Sequence, residues 1–371
     1  QQAQVSPTMM ISWIWGISIG AAVAGIFLSI KFKVPVITAW SAPGTALLVT
    51  LFPSISLNEA VAAYITSAVV IFLIGISGYF DKLLKWIPQS VAAGMMAGIL
   101  FQFGLGLFSA TNSMPIIVFS MLFVFLVAKR ISPRYSMLWV LLSGVALSFG
   151  LGEMNAVSLD FQLAIPQFIS PEWTWHSTLN LALPLILVSL TGQFLPGMAI
   201  MKLSGYDMPS KPIITTTSIA SLAVACVGGI TIVLASITAA LCMGKDAHEL
   251  KEKRYIAGVA NGIFYILGGL FAGSIVLLFS LLPKELVAAL AGLALLGAIS
   301  TNIAVAMKDE SQRDSALITF LATASGMHFL GLSSVFWGIV IGLTAHLILT
   351  KRSPEISALA STPSSNPSSK S

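Results

Sequence analysis

Two short stretches of this sequence combine residues that start helices with hydroxyl side chains. In the segment 41–45 (Ser-Ala-Pro-Gly-Thr), an N-cap serine and an early proline follow an extended, β-branched run at 34–40. The segment 235–238 (Ala-Ser-Ile-Thr) follows a similar strand-like run at 230–233. Helix N-termini present unpaired N–H groups and the positive end of the helix dipole. Two such starts that face each other predict an anion site.

Side chains must add donors to this site. A dipole end contributes roughly 1 to 2 kcal/mol, whereas desolvation of a carboxylate costs several. The hydroxyls of both segments and the amide of Gln193 are the candidates, although membrane-helix hydroxyls also often bond their own backbone carbonyls. Trp40, just before the first of these helix starts, is a candidate for an aromatic wall of the site. The predicted substrate-binding residues are Trp40, Ser41, Ala42, Gly44, Thr45, Gln193, Ala235, Ser236, Ile237 and Thr238.

Enzyme chemistry has little support in the sequence. An enzyme would need clustered acids, histidines or cysteines near an interface, and Asp246 with His248 is the single candidate pair, in a loop that also suits a solvated turn. Cys226 and Cys242 lie in an apolar stretch, where a small apolar role is expected. We expect no enzyme activity, no metal and no cofactor.

The composition indicates a membrane protein. Of the 371 residues, 56% are apolar and 9% are charged, and the mean hydropathy is +0.92. Soluble domains carry roughly 25% charged residues. No Asp, Glu, Lys or Arg occurs between Lys211 and Lys245, between Arg254 and Lys284, or between Asp314 and Lys351. Charges at the bilayer centre are costly, so these gaps predict spans.

Spans of about 20 apolar residues, shorter where a helix is broken, are expected throughout the chain. The predicted spans are roughly 10–30, 34–52, 59–80, 88–110, 113–128, 135–152, 177–200, 211–227, 228–244, 255–282, 285–307, 314–330 and 333–350. No Asp or Glu lies well inside any of them, so the sequence identifies no proton-carrying carboxylate. His328 and His346, near span ends, are interpreted as structural.

The cations predict the orientation. If the chain enters from outside, every loop rich in Lys and Arg is cytoplasmic, and Glu59, Glu153, Asp160 and Glu172 lie outside. We therefore expect a multi-pass protein of a bacterial cytoplasmic membrane with a cytoplasmic C-terminus. The first residue is Gln1 and no basic signal region precedes the first span, which suggests that one helix is missing and that the whole protein has fourteen.

Fourteen spans suggest two repeats of seven. An offset of 195 residues matches Ile37 to Ile232 and Ser41 to Ser236, and further matches continue in order along the chain. An odd number of spans separates the copies, so the second is inverted in the membrane. Inverted repeats are typical of secondary transporters.

The motifs resemble one family over about residues 10–350. The segments 35–48 (Pro-Val-Ile-Thr-Ala-Trp-Ser-Ala-Pro-Gly-Thr-Ala-Leu-Leu), 195–199 (Leu-Pro-Gly-Met-Ala), 237–242 (Ile-Thr-Ala-Ala-Leu-Cys) and 336–338 (Phe-Trp-Gly) look like the benzoate/proton symporter (BenE) family. The resemblance implies an all-α, seven-plus-seven inverted-repeat fold shared with nucleobase and sulfate-type carriers. It implies a core domain (1–87 and 177–284, half-helices near 41–52 and 235–244) and a gate domain (88–152 and 285–350). An external loop (153–176) and a disordered tail (353–371) complete the expected organisation.

Function follows from the same resemblance. It implies alternating-access symport of benzoate, or another small aromatic carboxylate, with protons. Gln193 lies where related nucleobase carriers place a carboxylate, so the proton rides on the substrate or on an unidentified group. An inorganic-anion or nucleobase permease of the same fold is the alternative. The expected partners are the anion, protons and the lipid bilayer, but no nucleic acid; a homodimer is left open.

Overall fold

The protein is mostly helical, with one small two-stranded sheet. The structure, a computed structural model, describes residues 5–52, 54–80, 82, 88–153, 163–235, 237–244 and 247–349. The expected tail at 353–371 lies outside these residues. The first half of the chain forms α1 (Pro7–Phe32), β1 (Thr38–Trp40), α2 (Ala42–Leu51), α3 (Leu57–Ser77), α4 (Gln89–Ser109), α5 (Pro115–Ile131) and α6 (Ser136–Gly150). The second half forms α7 (Trp175–Leu203), α8 (Ser210–Ala225), β2 (Ile232–Leu234), α9 (Ile237–Met243), α10 (Tyr255–Leu270), α11 (Ala272–Ser280), α12 (Lys284–Ala306), α13 (Arg313–Ala324) and α14 (Ser334–Leu349).

Each segment predicted as a span overlaps at least one of these helices. Among the described residues, five helices are long and apolar enough to cross a membrane: Pro7–Phe32, Leu57–Ser77, Gln89–Asn112, Trp175–Leu203 and Lys284–Ala306. The number of crossings stays a prediction. The expected single span at 255–282 differs, because the chain bends by 68° between Leu270 and Ala272. Glycines at 268, 269 and 273 flank this bend, and glycine pairs are frequent at kinks.

Local sequence explains where several helices begin. The Ser6 hydroxyl accepts from the Met9 N–H at the start of α1. At the start of α3, Ser56 and Glu59 form a reciprocal capping box. Pro115 lies at the beginning of α5, where its missing N–H costs nothing. These caps satisfy donors that would otherwise be unpaired at the ends of apolar helices.

The two strands pair with each other although most of the chain separates them. β1 and β2 are antiparallel, with Thr38 opposite Leu234 and Trp40 opposite Ile232. An open two-stranded sheet leaves backbone groups unpaired on its outer edges, which is costly away from water. Hydroxyls of the flanking helices pair with some of these backbone groups. Ser29 of α1 exchanges hydrogen bonds with the backbone of Val36, and the Ser221 hydroxyl of α8 accepts from the N–H of Ile232 over 2.8 Å.

The helices pack in two groups. In the first, α1 contacts α8 and α10, and α3 contacts α8. In the second, α4 contacts α12 and α13, α13 contacts α14, and α5 contacts α6. The groups meet where α4 packs against α2 and α7, and where α14 packs against α7. One buried cluster crosses this boundary and includes Leu185 of α7, Met96 of α4 and Ile339 of α14.

A loop lies across one end of the first group. The backbone N–H of Ala164 donates to Leu270, and that of Ile169 donates to Cys226. The Glu59 carboxylate accepts from the Thr174 hydroxyl over 2.7 Å. The described part of the predicted external loop is therefore fixed to α3, α8 and α10 rather than hanging free.

Candidate anion-binding site

The β1–β2 sheet pairs the two broken segments of the sequence, which are the predicted spans 34–52 and 228–244, in which a strand leads into a short helix. The Ser41 N–H donates to the Thr231 carbonyl over 2.9 Å, and the Ala235 N–H donates to the Ile37 carbonyl over 2.9 Å. α2 begins two residues after the end of β1, and α9 begins three residues after the end of β2. Each strand therefore leads directly into a short helix, as the sequence predicts. The structure brings the starts of both helices to the two ends of one small sheet.

The start of α2 offers fewer donors than the sequence suggests. Pro43 has no N–H, and the Gly44 N–H donates to the Ser41 hydroxyl over 3.1 Å. The Thr45 N–H is bonded to the Ser41 carbonyl over 2.8 Å. The N–H of Ala42 remains, since it makes no hydrogen bond with any described residue, and Ala42 is exposed. A ligand at this terminus would meet one backbone donor rather than several.

The hydroxyls of this segment are engaged with the backbone. Ser41 is fully buried, and its oxygen caps α2. The Thr45 hydroxyl donates its proton to the Ser41 carbonyl over 3.0 Å. Thr45 therefore has no proton left for a ligand in this conformation. Ser41 keeps its own hydroxyl proton, but its side chain is buried, whereas the neighbouring Ala42 is exposed.

The second broken segment is only partly described. Ala235 is buried, and α9 begins at Ile237 with seven residues. Ser236 and the side chain of Ile237 lie outside the described residues, so their predicted contacts stay predictions. Thr238 is exposed, and its hydroxyl makes no hydrogen bond with any described residue. Among the described hydroxyls of the predicted set, it is the one that is open to a ligand.

Gln193 lies in a widened turn of α7. This helix contains two π-helical turns, Thr178–Ala182 and Leu190–Phe194, and a proline follows each turn by two residues. Proline cannot donate to the carbonyl four residues back, and its ring crowds that carbonyl. The preceding N–H instead reaches back five residues, from Leu183 to Thr178 and from Leu195 to Leu190. Such π turns occur frequently at functional sites.

The second π turn lies among the site elements. It contacts β2 on one side and α4 on the other. A Cβ at Gly192 would lie 2.9 Å from the Met96 Cε atom of α4, so a larger residue there would require the Met96 side chain to shift. Gln193 is half-buried, and its amide makes no hydrogen bond with any described residue. An unpaired amide inside an apolar helix is the strongest ligand candidate among the predicted side chains.

Two contacts at the site were not predicted. A Cβ on Gly44 would lie 2.4 Å from the Leu185 Cδ1 atom, so a side chain there would force a shift where α2 packs on α7. The ring of Trp40 meets the ring of Tyr265 edge-on, with centroids 5.7 Å apart. The sequence identified Trp40 but could not assign it a partner.

Other titratable groups do not form a reactive cluster within the described part of the chain. No three His, Cys, Asp or Glu side chains there lie close enough to hold a metal ion. The Nδ1 atom of His248 accepts from the N–H of Leu250, which is a turn contact, and Asp246 lies outside the described residues. His328 is exposed in the loop between α13 and α14.

Solved structures with the same architecture are membrane transporters of the inverted-repeat fold. The overall structure of SLC26A9 matches with a TM-score of 0.59 at 13% identity. The match covers 92% of this chain and 64% of SLC26A9, which is less than two thirds of the length of that protein. The transmembrane domain of the cyanobacterial bicarbonate transporter BicA matches with a TM-score of 0.58 at 15% identity, over 93% of both chains. Murine Slc26a9, an anion transporter in the inward-facing state, gives a TM-score of 0.59 at 13% identity, over 92% of this chain and 68% of that one. The chain thus has the inverted-repeat fold of these membrane proteins, and the predicted fold class is confirmed, whereas the number of spans in each repeat stays a prediction.

Within that class the family is shown by sequence. The family model described as "Benzoate membrane transport protein" matches residues 1–348, so the chain belongs to the BenE family. The Benzoate membrane transport protein of Acinetobacter baylyi is 78% identical over 351 residues, which are 95% of this chain and 89% of that protein. Inner membrane protein YdcO of Escherichia coli is 37% identical over 347 residues, which are 94% of this chain and 89% of that protein. The resemblance found in the motifs is confirmed.

Proposed function

We propose that this chain carries benzoate, or a closely related aromatic carboxylate, together with a proton across a bacterial cytoplasmic membrane. The pairing of β1 with β2 carries the structural side of the argument, because it sets the starts of two short helices at the two ends of one small sheet within a mostly helical fold. The name of the 78% identical relative supports the substrate. The Escherichia coli relative, an inner membrane protein, supports the location.

In this proposal, neutral groups hold the carboxylate. The N–H of the exposed residue Ala42, the Gln193 amide and the Thr238 hydroxyl are donors without a described partner. Each hydrogen bond to a charged group contributes roughly 1.5 to 3 kcal/mol. Two or three such bonds, with the dipole of α2, offset a desolvation cost of several kcal/mol. Ser41 and Thr45 then act on the ligand indirectly, by fixing the start of α2.

The proton needs a carrier other than a buried acid. Among the described residues, the acids that belong to α3, α12 and α13 lie in the first turns of these helices: Glu59, Glu285 and Asp314. The carboxyl of the substrate itself is one carrier that requires no side chain. A second group in the pathway is the alternative that the sequence leaves open.

The two groups of helices support an assignment of two domains with different roles in transport. We assign residues 1–87 and 177–284 to a transport core and residues 88–152 and 285–350 to a gate. The core would then carry both helix starts and Gln193, and the gate would supply the facing apolar surface around Met96 and Ile339. Relative motion of the groups would expose the site to each side in turn, with the C-terminus on the cytoplasmic side.

Uptake of radiolabelled benzoate into proteoliposomes tests this proposal directly. We expect uptake to rise when an inward proton gradient is imposed, and a protonophore to abolish the increase. Excess unlabelled benzoate should compete, whereas sulfate, bicarbonate and uracil should not. Uptake of bicarbonate or sulfate in place of benzoate would instead support an inorganic-anion carrier, the alternative favoured by the structural likeness to BicA.

A further inference from the structure

One buried amide joins the two groups of helices at the end where α7 begins. Asn180 lies in the first π turn of α7 and is 1% exposed. Its Oδ1 atom accepts from the Ser333 N–H over 2.6 Å, and its Nδ2 atom donates to the Gly331 carbonyl over 3.3 Å. α7 packs on α2 and α3, whereas residues 331 and 333 belong to the loop between α13 and α14. Both polar ends of one side chain therefore cross the boundary; we call this contact the latch.

The loop that meets Asn180 is preorganised. Phe329 and Leu332 exchange two backbone hydrogen bonds, of 3.1 and 3.0 Å, around Leu330 and Gly331. Leu330 has a φ of 53° and Gly331 a φ of 73°, as in the tight turns in which both central residues have positive φ. The Trp337 indole N–H donates to the Phe329 carbonyl over 2.8 Å. The turn thus holds the Gly331 carbonyl and the Ser333 N–H in place before they meet the amide.

Leu330 is the unusual residue in this turn. A leucine with positive φ costs free energy that glycine would avoid, and it persists only where the surroundings enforce it. Its side chain is 76% exposed, so packing of that side chain does not repay the cost. The backbone hydrogen bonds of the turn enforce this conformation, in which the turn presents two backbone groups to Asn180.

Hydrogen bonds at this boundary fix the relative position of the two groups of helices, which the apolar contact alone does not. Val335 and Ile339 of α14 share a buried cluster with Leu181 and Leu185 of α7. Apolar surfaces are non-directional and can slide over each other, whereas an amide with both ends paired permits one register. Breaking the latch would leave buried polar groups unsatisfied.

We infer that Asn180 is a positioning residue for transport, which holds α7 and the 329–333 turn together and must release them when the groups separate at this end. The inference rests on the proposed division into core and gate. The cation distribution predicts that this end is external. Release of the latch would then accompany opening to the outside.

Thiol labelling of a reporter in intact cells tests the inference. Ala42→Cys, in a chain whose Cys226 and Cys242 are replaced by serine, reports access to the start of α2. We expect Asn180→Ala to raise the rate of labelling by a membrane-impermeant reagent about tenfold, the shift that loss of roughly one hydrogen bond produces. The matched control is Asn302→Ala, because the Asn302 amide bonds a carbonyl of its own helix, that of Ala298. This control should label at the parental rate.

Kinetics separate positioning from simple loss of structure. A destabilised carrier lowers the maximal uptake rate and leaves KM unchanged, whereas a population shifted toward the open state lowers the apparent KM for external substrate. Without the reporter, Asn180→Ala should lower this KM. Unchanged KM and unchanged labelling would overturn the inference.

A reversible cross-link covers the case in which Asn180→Ala does not fold. Asn180→Cys combined with Ser333→Cys should form a disulfide on oxidation, which should block labelling in the chain with the reporter and stop uptake in the chain without it; a reducing agent should restore both. Full activity of the cross-linked protein would contradict the latch. The labelling assay contains no substrate, so a failure of the benzoate proposal would leave the labelling difference intact.

Discussion

The backbone N–H of Ser41 donates to the Thr231 carbonyl over 2.9 Å, so the residue that caps α2 is fixed to the chain just before β2. The Ala235 N–H returns a bond of the same length to Ile37. The two broken segments are therefore one mechanical unit, and a displacement of one helix start moves the other. A carrier that changes its access to each side of the membrane can keep such a unit intact while the surrounding helices move.

The edges of the sheet should depend on single hydroxyls. Ser221→Ala removes the acceptor of the Ile232 N–H and leaves that buried donor unpaired, which costs roughly 1 to 3 kcal/mol. We expect a lower melting temperature of the purified protein. Ser218→Ala, in the same helix, is the matched control, because the buried Ser218 hydroxyl has no partner among the described residues. Equal melting temperatures of the two variants would contradict this role for Ser221.

Much of this unit could be predicted from the sequence. Pro35 and the β-branched residues after it indicate an extended segment, and the cap at Ser41 with Pro43 indicates a helix start; both are confirmed. The number of free donors was overestimated. An N-cap serine accepts from an N–H of the first turn, here that of Gly44, so the residue that indicates the helix start also occupies one of its donors.

Contacts between residues that are distant in the sequence could not be predicted either. Asn180 resembles any amide in an apolar span until the 329–333 turn is placed beside it. The π turns of α7 have a sequence signal in Pro184 and Pro196, but proline also produces ordinary kinks, so the type of break was not predictable. The residues that were easiest to identify are those whose local chemistry decides their structure.

The close approach of α2 to α7 should tolerate no side chain at residue 44. Gly44→Ala places a Cβ 2.4 Å from the Leu185 Cδ1 atom and 2.9 Å from the Ser41 hydroxyl oxygen. Overpacking of this kind costs roughly 1 to 3 kcal/mol and would displace the start of α2. We expect benzoate uptake in proteoliposomes to fall sharply, with partial recovery when Leu185→Val is added.

Gly106→Ala is the control for this change. A Cβ there meets nothing within 4 Å, so uptake and melting temperature should match the parent. If Gly44→Ala transports at the parental rate, α2 and α7 are not packed as described, or their packing does not matter for transport.

The orientation can be tested at two exposed positions. Ile165 is 78% exposed in the loop that crosses the first group, and Leu250 is 53% exposed in the basic loop before α10. In a chain without Cys226 and Cys242, Ile165→Cys should react with an impermeant thiol reagent in intact cells, and Leu250→Cys should react only after the cells are permeabilised. The opposite pattern would invert the predicted topology.

Gln193 should be the side chain that matters most for affinity. Its amide has no partner among the described residues, and a hydrogen bond to a carboxylate contributes roughly 1.5 to 3 kcal/mol. We therefore expect Gln193→Ala to raise the apparent KM for benzoate about ten- to a hundredfold. Gln102→Ala is the matched control, because the Gln102 amide already donates to the Ala324 carbonyl over 2.7 Å. Its KM should stay at the parental value.

The acidic variant gives the sharper result, because it predicts a dependence on pH. Gln193→Glu places a negative charge beside the anionic ligand at neutral pH, so uptake should fall below that of Gln193→Ala. As the pH falls, the new carboxyl becomes protonated, regains a donor and loses its charge, and uptake should recover toward the parental level. The Gln193→Ala variant has no group that titrates at this position, so its uptake relative to the parent should not change over the same pH range. If the acidic variant is instead more active at neutral pH, or if both variants respond to pH alike, Gln193 does not face the substrate carboxylate.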